Sequence, residues 1–425
     1  EHKLFCISAR NEEALKTLVQ RYIDYLSAEG SLIPFEQICY SAALRRSHHS
    51  LRLFVVASDK NDLKNKLSAF LEGTPQPGMI QGRGKHKPDV KRAFVFSGQG
   101  PQWWAMGRQL YENEPLFRSA IEEIEQLFKE YSGWSLIDEL TKDEQNSQIY
   151  KTRITQPAIF AVQVGLARLW RSMGIEPDGI VGHSIGEVAA AHISGVLSLQ
   201  DAVKLIYHRS RVQSQAEGKG KMLAVGMGLR DAELLIKPYK KDVSVAAINS
   251  PKMVTLSGAT DVLETIQKLL EDKDTFCKFL KVDVPFHSHY MEPMKEDLIS
   301  SLETLAPKKA SIPLYSTVTG GGVKGSELKA RYWYRNVREP VYFTSAIEAM
   351  INDGYELFVE ISPHPILSSG ISEIFSQKKF AGTVVSSLRR NENEWFTILN
   401  SLGMIYLSGA SWDMAALFGS GQKYV

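Results

Sequence analysis

The stretch Val181-Gly182-His183-Ser184-Ile185-Gly186-Glu187 is the most informative motif of this 425-residue chain. It follows the apolar residues Ile180 and Val181 and precedes an alanine-rich segment, which together predict a short strand, a sharp turn and a helix. A serine in a Gly-x-Ser-x-Gly turn projects from a strained strand-to-helix elbow, where its hydroxyl can attack a carbonyl carbon. The motif therefore predicts an α/β fold with Ser184 as a nucleophile, and it fits a hydrolase and a transferase equally.

Composition and charge exclude several other classes of function. The net charge of +2 provides no overall field that would attract nucleic acid or an anionic membrane. Cys6, Cys39 and Cys277 lack the spacing of a metal site or a redox pair, so we expect no bound metal and a cytoplasmic location. No apolar run reaches the length of a membrane span. Because the chain begins at Glu1 rather than methionine, we expect it to be part of a longer protein.

The first 90 residues are predicted to form a small α/β linker domain. Strands are expected at 4–7 and 51–56, with helices at 11–26 and 59–71. Asn11 precedes two glutamates and is the expected N-cap of the first helix. The glycine- and proline-rich residues 73–88 are predicted to be an irregular linker.

The rest of the chain is predicted to contain one large subdomain, interrupted by a smaller one. Residues 91–220 and 283–390 are assigned to the large, α/β-hydrolase-like subdomain. Residues 221–282 have the order βαββαβ, which is the ferredoxin-like plan of an inserted subdomain. Residues 391–425 contain an apolar helical stripe that must pack against other residues.

The serine needs a general base, and His287 is the best candidate. A serine hydroxyl is almost entirely protonated near neutral pH, so a neighbouring base must accept its proton. His287 lies just after the inserted segment, where a loop would cover a cleft between two subdomains. His289 is two residues away, and sequence alone does not choose between the two histidines.

Arg209 lies on an apolar helical stripe together with Ala202, Leu205 and Val212. A buried guanidinium needs an anion, because leaving the charge unpaired is costly. The pattern allows either a carboxylate of the protein or a carboxylate of the substrate to meet it. Gln99, between Gly98 and Gly100, could present a backbone N–H to an oxyanion together with the N–H of Ile185, although most such triplets are plain turns.

Several motifs together resemble the acyltransferase domain of a modular type I polyketide synthase, in the malonyl-CoA:acyl-carrier-protein transacylase family. The resemblance covers nearly the whole chain, with residues 1–90 similar to the ketosynthase-to-acyltransferase linker and 391–425 similar to the segment after the acyltransferase. The matching stretches are Phe96-Ser97-Gly98-Gln99-Gly100 with 103–107, Gly182-His183-Ser184-Ile185-Gly186-Glu187, residues 332–341, and Glu360-Ile361-Ser362-Pro363-His364-Pro365.

This resemblance implies a role for each candidate residue. Ser184 and His287 would form a catalytic dyad, with a backbone carbonyl rather than an acidic residue orienting the imidazole. Arg209 would grip the free carboxylate of a malonyl-type acyl group, and Gln99 and Ile185 would supply the oxyanion-hole amides. The residues implied to line the substrate pocket are Gln156, His183 and Asn249.

The implied activity is transfer of a malonyl-type extender unit from coenzyme A to the phosphopantetheine thiol of an acyl carrier protein. The reaction would pass through an acyl-serine intermediate with ping-pong kinetics. No cofactor would be bound by this chain, since the coenzyme A thioester is a substrate and the phosphopantetheine belongs to the partner. The implied partners are the carrier protein and an adjacent ketosynthase domain of the same multienzyme.

The extender unit is predicted from the residues around the base. Malonyl-selective relatives often have His-Ala-Phe-His there, and methylmalonyl-selective ones have Tyr-Ala-Ser-His. This chain has Val284-Pro285-Phe286-His287, whose bulky Phe286 would crowd a branched α-carbon. Phe286 and Ile185 favour malonyl, whereas Val284 and Pro285 depart from both patterns. A methylmalonyl-selective enzyme therefore remains an alternative, because one methyl group is worth only about 1–3 kcal/mol in a pocket.

Two other classes share the same motif. An α/β serine hydrolase or thioesterase would use the elbow, but its usual order is Ser, then an acid, then His. No compelling acid lies between Ser184 and His287, and Arg209 would have no role in that enzyme. A docking scaffold with a relic pocket is the third reading, against which the intact Ser184, His287 and Arg209 argue.

Overall fold

The computed structural model describes residues 2–418, which divide into two units around separate sheets. The first unit comprises 1–90, 169–176 and 385–425, and the second comprises 91–168 and 177–384, in each case for the described residues. Residues 419–425 of the predicted C-terminal segment lie outside the described part. Within 2–418, no helix is both long and apolar enough to cross a membrane.

The regular elements alternate along the chain, as expected for an α/β protein. The strands are β1 (Lys3–Ala9), β2 (Leu51–Ala57), β3 (Met79–Arg83), β4 (Lys91–Phe96), β5 (Gly179–Gly182), β6 (Lys221–Val225), β7 (Val243–Ser250), β8 (Met253–Gly258), β9 (Cys277–Phe279), β10 (Leu314–Ser316), β11 (Gly321–Val323), β12 (Tyr355–Ile361) and β13 (Thr383–Ser386). The α-helices are α1 (Glu12–Ser27), α2 (Phe35–Leu44), α3 (Lys60–Leu71), α4 (Arg108–Asn113), α5 (Pro115–Phe128), α6 (Leu136–Thr141), α7 (Thr152–Ser172), α8 (Gly186–Ile193), α9 (Leu199–Gln213), α10 (Leu229–Ile236), α11 (Thr260–Glu271), α12 (Lys295–Ser301), α13 (Ala330–Arg338), α14 (Phe343–Asn352), α15 (Ser368–Lys378) and α16 (Glu394–Ser408).

The first unit contains a three-stranded antiparallel sheet in the order β1-β2-β3. The predicted strands and helices are present, and the side chain of Asn11 caps α1 by accepting a hydrogen bond from the backbone N–H of Ala14 at 2.8 Å. The apolar stripe of the C-terminal segment is α16, which packs on this sheet and brings Gly403 against the ring of Phe54.

The irregular linker predicted over 73–88 is wrong in part, because β3 lies inside it and pairs with β2. β3 is mostly exposed and contains Gly82, so its residues have neither the alternation nor the side chains of a typical strand. The glycine has a packing reason, since a Cβ there would lie 3.2 Å from the Leu407 side chain of α16. Because this contact joins residues far apart in the chain, the sequence around Gly82 gives no sign of it.

The second unit is built on a six-stranded sheet in the order β11-β10-β5-β4-β12-β13, whose β10, β5, β4 and β12 are parallel. β4 and β5 are neighbours, with Phe96 opposite Gly182. The turns that follow these two strands therefore meet at the carboxyl edge of the sheet, where open α/β sheets bind ligands. This register brings the Gly98–Gly100 turn next to the elbow at Ser184.

The elements between Lys221 and Phe279 follow the predicted ferredoxin-like order. β6, α10, β7, β8, α11 and β9 follow one another, and their antiparallel sheet has the order β7-β8-β6-β9. The fold class is thus as predicted: a large α/β subdomain with an inserted ferredoxin-like subdomain, preceded in the chain by a small α/β unit.

Candidate active site

The elbow between β5 and α8 holds Ser184 in a left-handed conformation, with φ of +53°. Non-glycine residues adopt this conformation rarely, and strain of this kind is typical of functional sites. The flanking glycines are required by close approach. A Cβ on Gly182 would lie 2.3 Å from the backbone nitrogen of Glu187, and one on Gly186 would lie 2.2 Å from the carbonyl oxygen of Phe96.

His287 is the histidine that meets the serine. Its Nε2 lies 2.8 Å from Ser184 Oγ, and its Nδ1 lies 2.8 Å from the backbone carbonyl oxygen of Glu339. A carbonyl oxygen only accepts, so Nδ1 bears the proton and the lone pair of Nε2 faces the hydroxyl. His289 instead packs beside Tyr290, with ring centroids 4.2 Å apart. No acidic residue is needed to set this tautomer.

His287 is held in its neutral form by its surroundings. Burial, the nearby charge of Arg209 and the neighbouring His183 lower the pKa of His287 from 6.5 to about 3. The imidazole is therefore a proton acceptor across the whole neutral range.

Arg209 projects from α9 into the same site and is only 1% exposed. Its Nη1 donates to Gln156 Oε1 at 2.8 Å and to Gln213 Oε1 at 2.7 Å. Its Nη2 donates to Ser184 Oγ at 3.1 Å, while Nε and Nη2 both donate to Asn336 Oδ1 at 3.2 Å. Every one of these acceptors is neutral.

The protein carboxylate that sequence analysis allowed for Arg209 is not found within residues 2–418, where Arg209 forms no ion pair. Glu187, whose charge acts on Arg209, is hydrogen-bonded to other residues. Its carboxylate accepts hydrogen bonds from the backbone N–H and hydroxyl of Thr317, each at 2.6 Å, and from the hydroxyl of Tyr332. Burial lowers the pKa of Arg209 to about 9, which leaves the guanidinium protonated at neutral pH.

Gln213 and Asn336 are site residues that the sequence analysis missed. Gln213 lies four residues after Arg209 on α9, so helical spacing could have placed both on one face. Asn336 comes from the distant helix α13 and has no such signal. Its Nδ2 donates to the backbone carbonyl of Ser184 at 3.1 Å, so one amide side chain connects the arginine to the elbow.

The backbone N–H groups of Gln99 and Ile185 are available as donors. Neither donates a hydrogen bond to an acceptor within the described residues. Gln99 follows β4, and Ile185 directly follows Ser184 at the start of α8. The side chain of Gln99 belongs to the amide cluster, since its Oε1 accepts from Gln156 Nε2 at 3.2 Å.

The remaining predicted residues lie around this centre. His183 Nε2 is 2.8 Å from Asn249 Oδ1, which joins the elbow to β7 of the ferredoxin-like subdomain. Asn249 in turn donates to Thr255 Oγ1 at 3.2 Å. Phe286, directly before His287, is only 7% exposed.

A buried Ser–His pair on an elbow, beside free backbone donors and an unneutralised cation, defines a serine-dependent acyl-transfer or acyl-hydrolysis site. Comparisons with known proteins decide between these classes. Residues 93–411 match the family described as acyl transferase domain, and residues 3–67 match the family described as CurL-like, PKS C-terminal. The chain belongs to the acyl transferase domain family, and it is an acyltransferase.

Individual relatives agree over nearly the whole chain. Polyketide synthase GfsE of Streptomyces halstedii is 36% identical over 95% of this chain, and erythronolide synthase EryA2 of Saccharopolyspora erythraea is 33% identical over 96%. The chain spans only 11% and 12% of the lengths of these two relatives. The crystal structure of the acyltransferase domain from module 8 of the salinomycin polyketide synthase superposes with a TM-score of 0.92, at 32% identity and 98% coverage of each chain.

Proposed function

We propose that this chain loads a malonyl-type acyl group from coenzyme A onto Ser184 and passes it to the phosphopantetheine thiol of an acyl carrier protein. The observation that carries the proposal is the contact between Arg209 and Ser184: a buried cation with only neutral partners donates to the nucleophilic oxygen. A carboxylate one carbon away from the reacting carbonyl would reach that cation. An uncharged acyl group would form no ion pair with Arg209.

The first half-reaction follows from the positions of the donors and acceptors. His287 Nε2 accepts the hydroxyl proton of Ser184 as Oγ attacks the thioester carbonyl. The negatively charged oxygen of the tetrahedral intermediate accepts hydrogen bonds from the backbone N–H groups of Gln99 and Ile185. When the tetrahedral intermediate collapses, the carbon–sulfur bond breaks, His287 returns the proton to the departing coenzyme A thiol, and an acyl-serine ester remains.

The second half-reaction repeats these steps in reverse. His287 accepts the proton of the phosphopantetheine thiol, whose sulfur attacks the ester carbonyl. The bond to Ser184 Oγ breaks and the serine recovers its proton. Neither half-reaction requires a resident cofactor, and within residues 2–418 no group of three or more His, Cys, Asp and Glu side chains could hold a metal ion.

Malonyl remains the preferred extender in this proposal. Phe286 and Ile185 are 7% and 2% exposed, and side chains in a close-packed interior have little space to adjust to a branched α-carbon. His183, Asn249 and Gln156 complete the proposed pocket lining. The preference is modest in energy, because one methyl group in a pocket is worth about 1–3 kcal/mol.

The proposed setting is a cytoplasmic multienzyme. The match of residues 3–67 to a PKS C-terminal family supports a separate small domain at this end of the chain, which we assign to 1–90 as the linker to a ketosynthase. Residues 91–220 and 283–390 would then be the large acyltransferase subdomain, 221–282 the small one, and 391–425 the following linker. Cys6, Cys39 and Cys277 are free thiols, which suits a reducing compartment.

Intact-protein mass spectrometry tests the first half-reaction directly. The native chain is incubated with malonyl-, methylmalonyl- and acetyl-CoA, and Ser184→Ala is the matched control. A persistent malonyl adduct on the native chain alone is the expected result. A methylmalonyl adduct in its place would overturn the extender preference but not the class of reaction. Release of coenzyme A without any adduct would indicate hydrolysis, and absence of both signals would indicate an inactive scaffold.

A further inference from the structure

The guanidinium of Arg209 has no spare donor. Arginine carries five N–H bonds, and here Nη1 uses both of its own on Gln156 and Gln213, while Nε and Nη2 use theirs on Asn336 and Ser184. A substrate carboxylate can therefore bind Arg209 only by displacing acceptors that are already in place.

The contacts of these acceptors indicate which of them can leave. Asn336 occupies the Nε edge and is fixed at its other end by the carbonyl of Ser184. Ser184 Oγ must move from Nη2 in any case, because it becomes bonded to the acyl group. A bidentate carboxylate that takes the Nη1–Nη2 end of the guanidinium must then replace an acceptor on Nη1.

Gln156 and Gln213 share Nη1 but differ in how firmly they are held. Gln156 Nε2 donates to Gln99 Oε1 and to Gln213 Oε1, at 3.2 and 2.8 Å. Gln213 Nε2 has only the thioether of Met291, at 3.7 Å, and thioether sulfur is a weak acceptor. Gln213 is thus the acceptor whose displacement breaks the fewest strong hydrogen bonds.

We propose that Gln213 is a specificity-determining residue, whose neutral amide oxygen occupies Nη1 of Arg209 in the free enzyme and yields this donor to the carboxylate of the substrate. The inference rests on the proposed function and adds the residue that makes Arg209 selective. Charge decides the exchange, since a carboxylate adds direct attraction between opposite charges to its hydrogen bonds, which a neutral amide oxygen does not. An acetyl group offers no charge and cannot displace the amide.

The substitution Gln213→Glu tests this role because it keeps the size of the side chain and changes its charge. A carboxylate at this position would pair with Arg209 permanently. A malonyl group would then bring a second negative charge into a buried site, whereas an acetyl group would not. We expect the ratio of malonyl to acetyl loading rates on Ser184 to fall by about 100-fold or more. Gln213→Met, which has similar length but neither the amide nor a charge, removes the exchange itself and should lower the ratio by a smaller factor, of up to about tenfold.

The experiment measures initial rates of acyl-serine formation by intact mass for each variant, with thermal unfolding to confirm folding. A folded Gln213→Glu protein that keeps the native ratio would overturn the inference, as would a Gln213→Met protein whose ratio is unchanged. If Gln213→Glu does not fold, Gln156→Glu places a carboxylate on the same Nη1, and the same drop in the ratio is expected. A native chain that forms no malonyl adduct would overturn the proposed function itself, whereas a native adduct with an unchanged ratio in folded Gln213→Glu would overturn only the role of Gln213.

Discussion

Arg209 and Glu360, two buried ionisable residues of the second unit, have different kinds of hydrogen-bond partner. Glu360, at the end of β12, is fully buried, and its Oε1 accepts from the backbone N–H groups of Ile366 and Leu367 at 2.8 and 3.0 Å. Its Oε2 accepts from the backbone N–H and the hydroxyl of Ser368, the first residue of α15. Rigid backbone donors at a helix N-terminus thus satisfy this carboxylate.

The partners of Arg209 are different in kind. They are three side-chain amides and one hydroxyl, all of them neutral and none of them a backbone group. Fixed backbone donors thus hold the Glu360 carboxyl in one place and offset part of the cost of burying it. The charge of Arg209, whose partners are neutral side chains, can instead be paired by the carboxylate of a ligand. Substitutions at the two residues should therefore affect different measurements.

The largest effect is expected from Arg209→Met, measured on catalysis. Malonyl loading should lose about 10³-fold in kcat/KM, because a charge-assisted, desolvated contact to the substrate is removed. The free energy of unfolding should change little, because relief of the desolvation of the buried charge is offset by the loss of the donor to the amide oxygens of Gln156, Gln213 and Asn336. Single-turnover loading rates and urea unfolding check both parts. A malonyl rate within tenfold of the native rate would contradict the role given to this arginine.

Glu360→Gln should show the reverse pattern. The amide can satisfy only part of the donor set around β12 and α15, so the free energy of unfolding should fall by about 2–4 kcal/mol. The loading rate per folded molecule should remain within about threefold of the native rate, since Glu360 lies outside the site. Glu303→Gln, an exposed position, is the control and should change stability by less than about 0.5 kcal/mol. A selective loss of loading with native stability would show that Glu360 acts on the site rather than on the fold.

Tyr332→Phe should have a smaller effect on the free energy of unfolding. It tests Glu187, a buried carboxylate that lies close to the site. Glu187 is also a buried carboxylate with complete partners, but its partner Tyr332 lies on α13, the helix that carries Asn336. Removing the hydroxyl should lower the free energy of unfolding by about 1.5–3 kcal/mol, because a hydrogen bond to a charged group is lost. Denaturant unfolding measures this loss. A native unfolding midpoint would show that Thr317 alone satisfies Glu187.

The sequence predicts the scaffold better than it predicts the polar centre. The elbow follows from two glycines around Ser184, and the ferredoxin-like order follows from alternating strand and helix patterns, both of which are local signals. Periodicity also places Arg209 on a buried face. It does not identify Asn336, which reaches Arg209 from a helix 127 residues further along the chain. Nor does it reveal that Glu187 belongs to Tyr332 and Thr317, since long-range pairing leaves no local pattern.

The smallest effect is the pH dependence of stability, for which His287 and Glu360 have opposite signs. The pKa of His287 is about 3 in the folded state and 6.5 when unfolded, so its contribution is complete above pH 6.5 and is lost as the pH falls towards 3. By pH 5.5 the loss from this group is on the order of 1 kcal/mol. Burial raises the pKa of Glu360 above its usual 4.5, so its contribution is complete below that pH and is lost as the pH rises.

Unfolding free energies measured between pH 4.5 and 7.5 separate the two groups. His287→Gln should flatten the decline below pH 6.5, and Glu360→Gln should leave that decline in place. Arg209→Met should also flatten it, because the charge of Arg209 is one cause of the low pKa of His287. If Arg209→Met left the decline below pH 6.5 unchanged, the charge of Arg209 would not lower the pKa of His287. Burial alone would then account for the neutral imidazole.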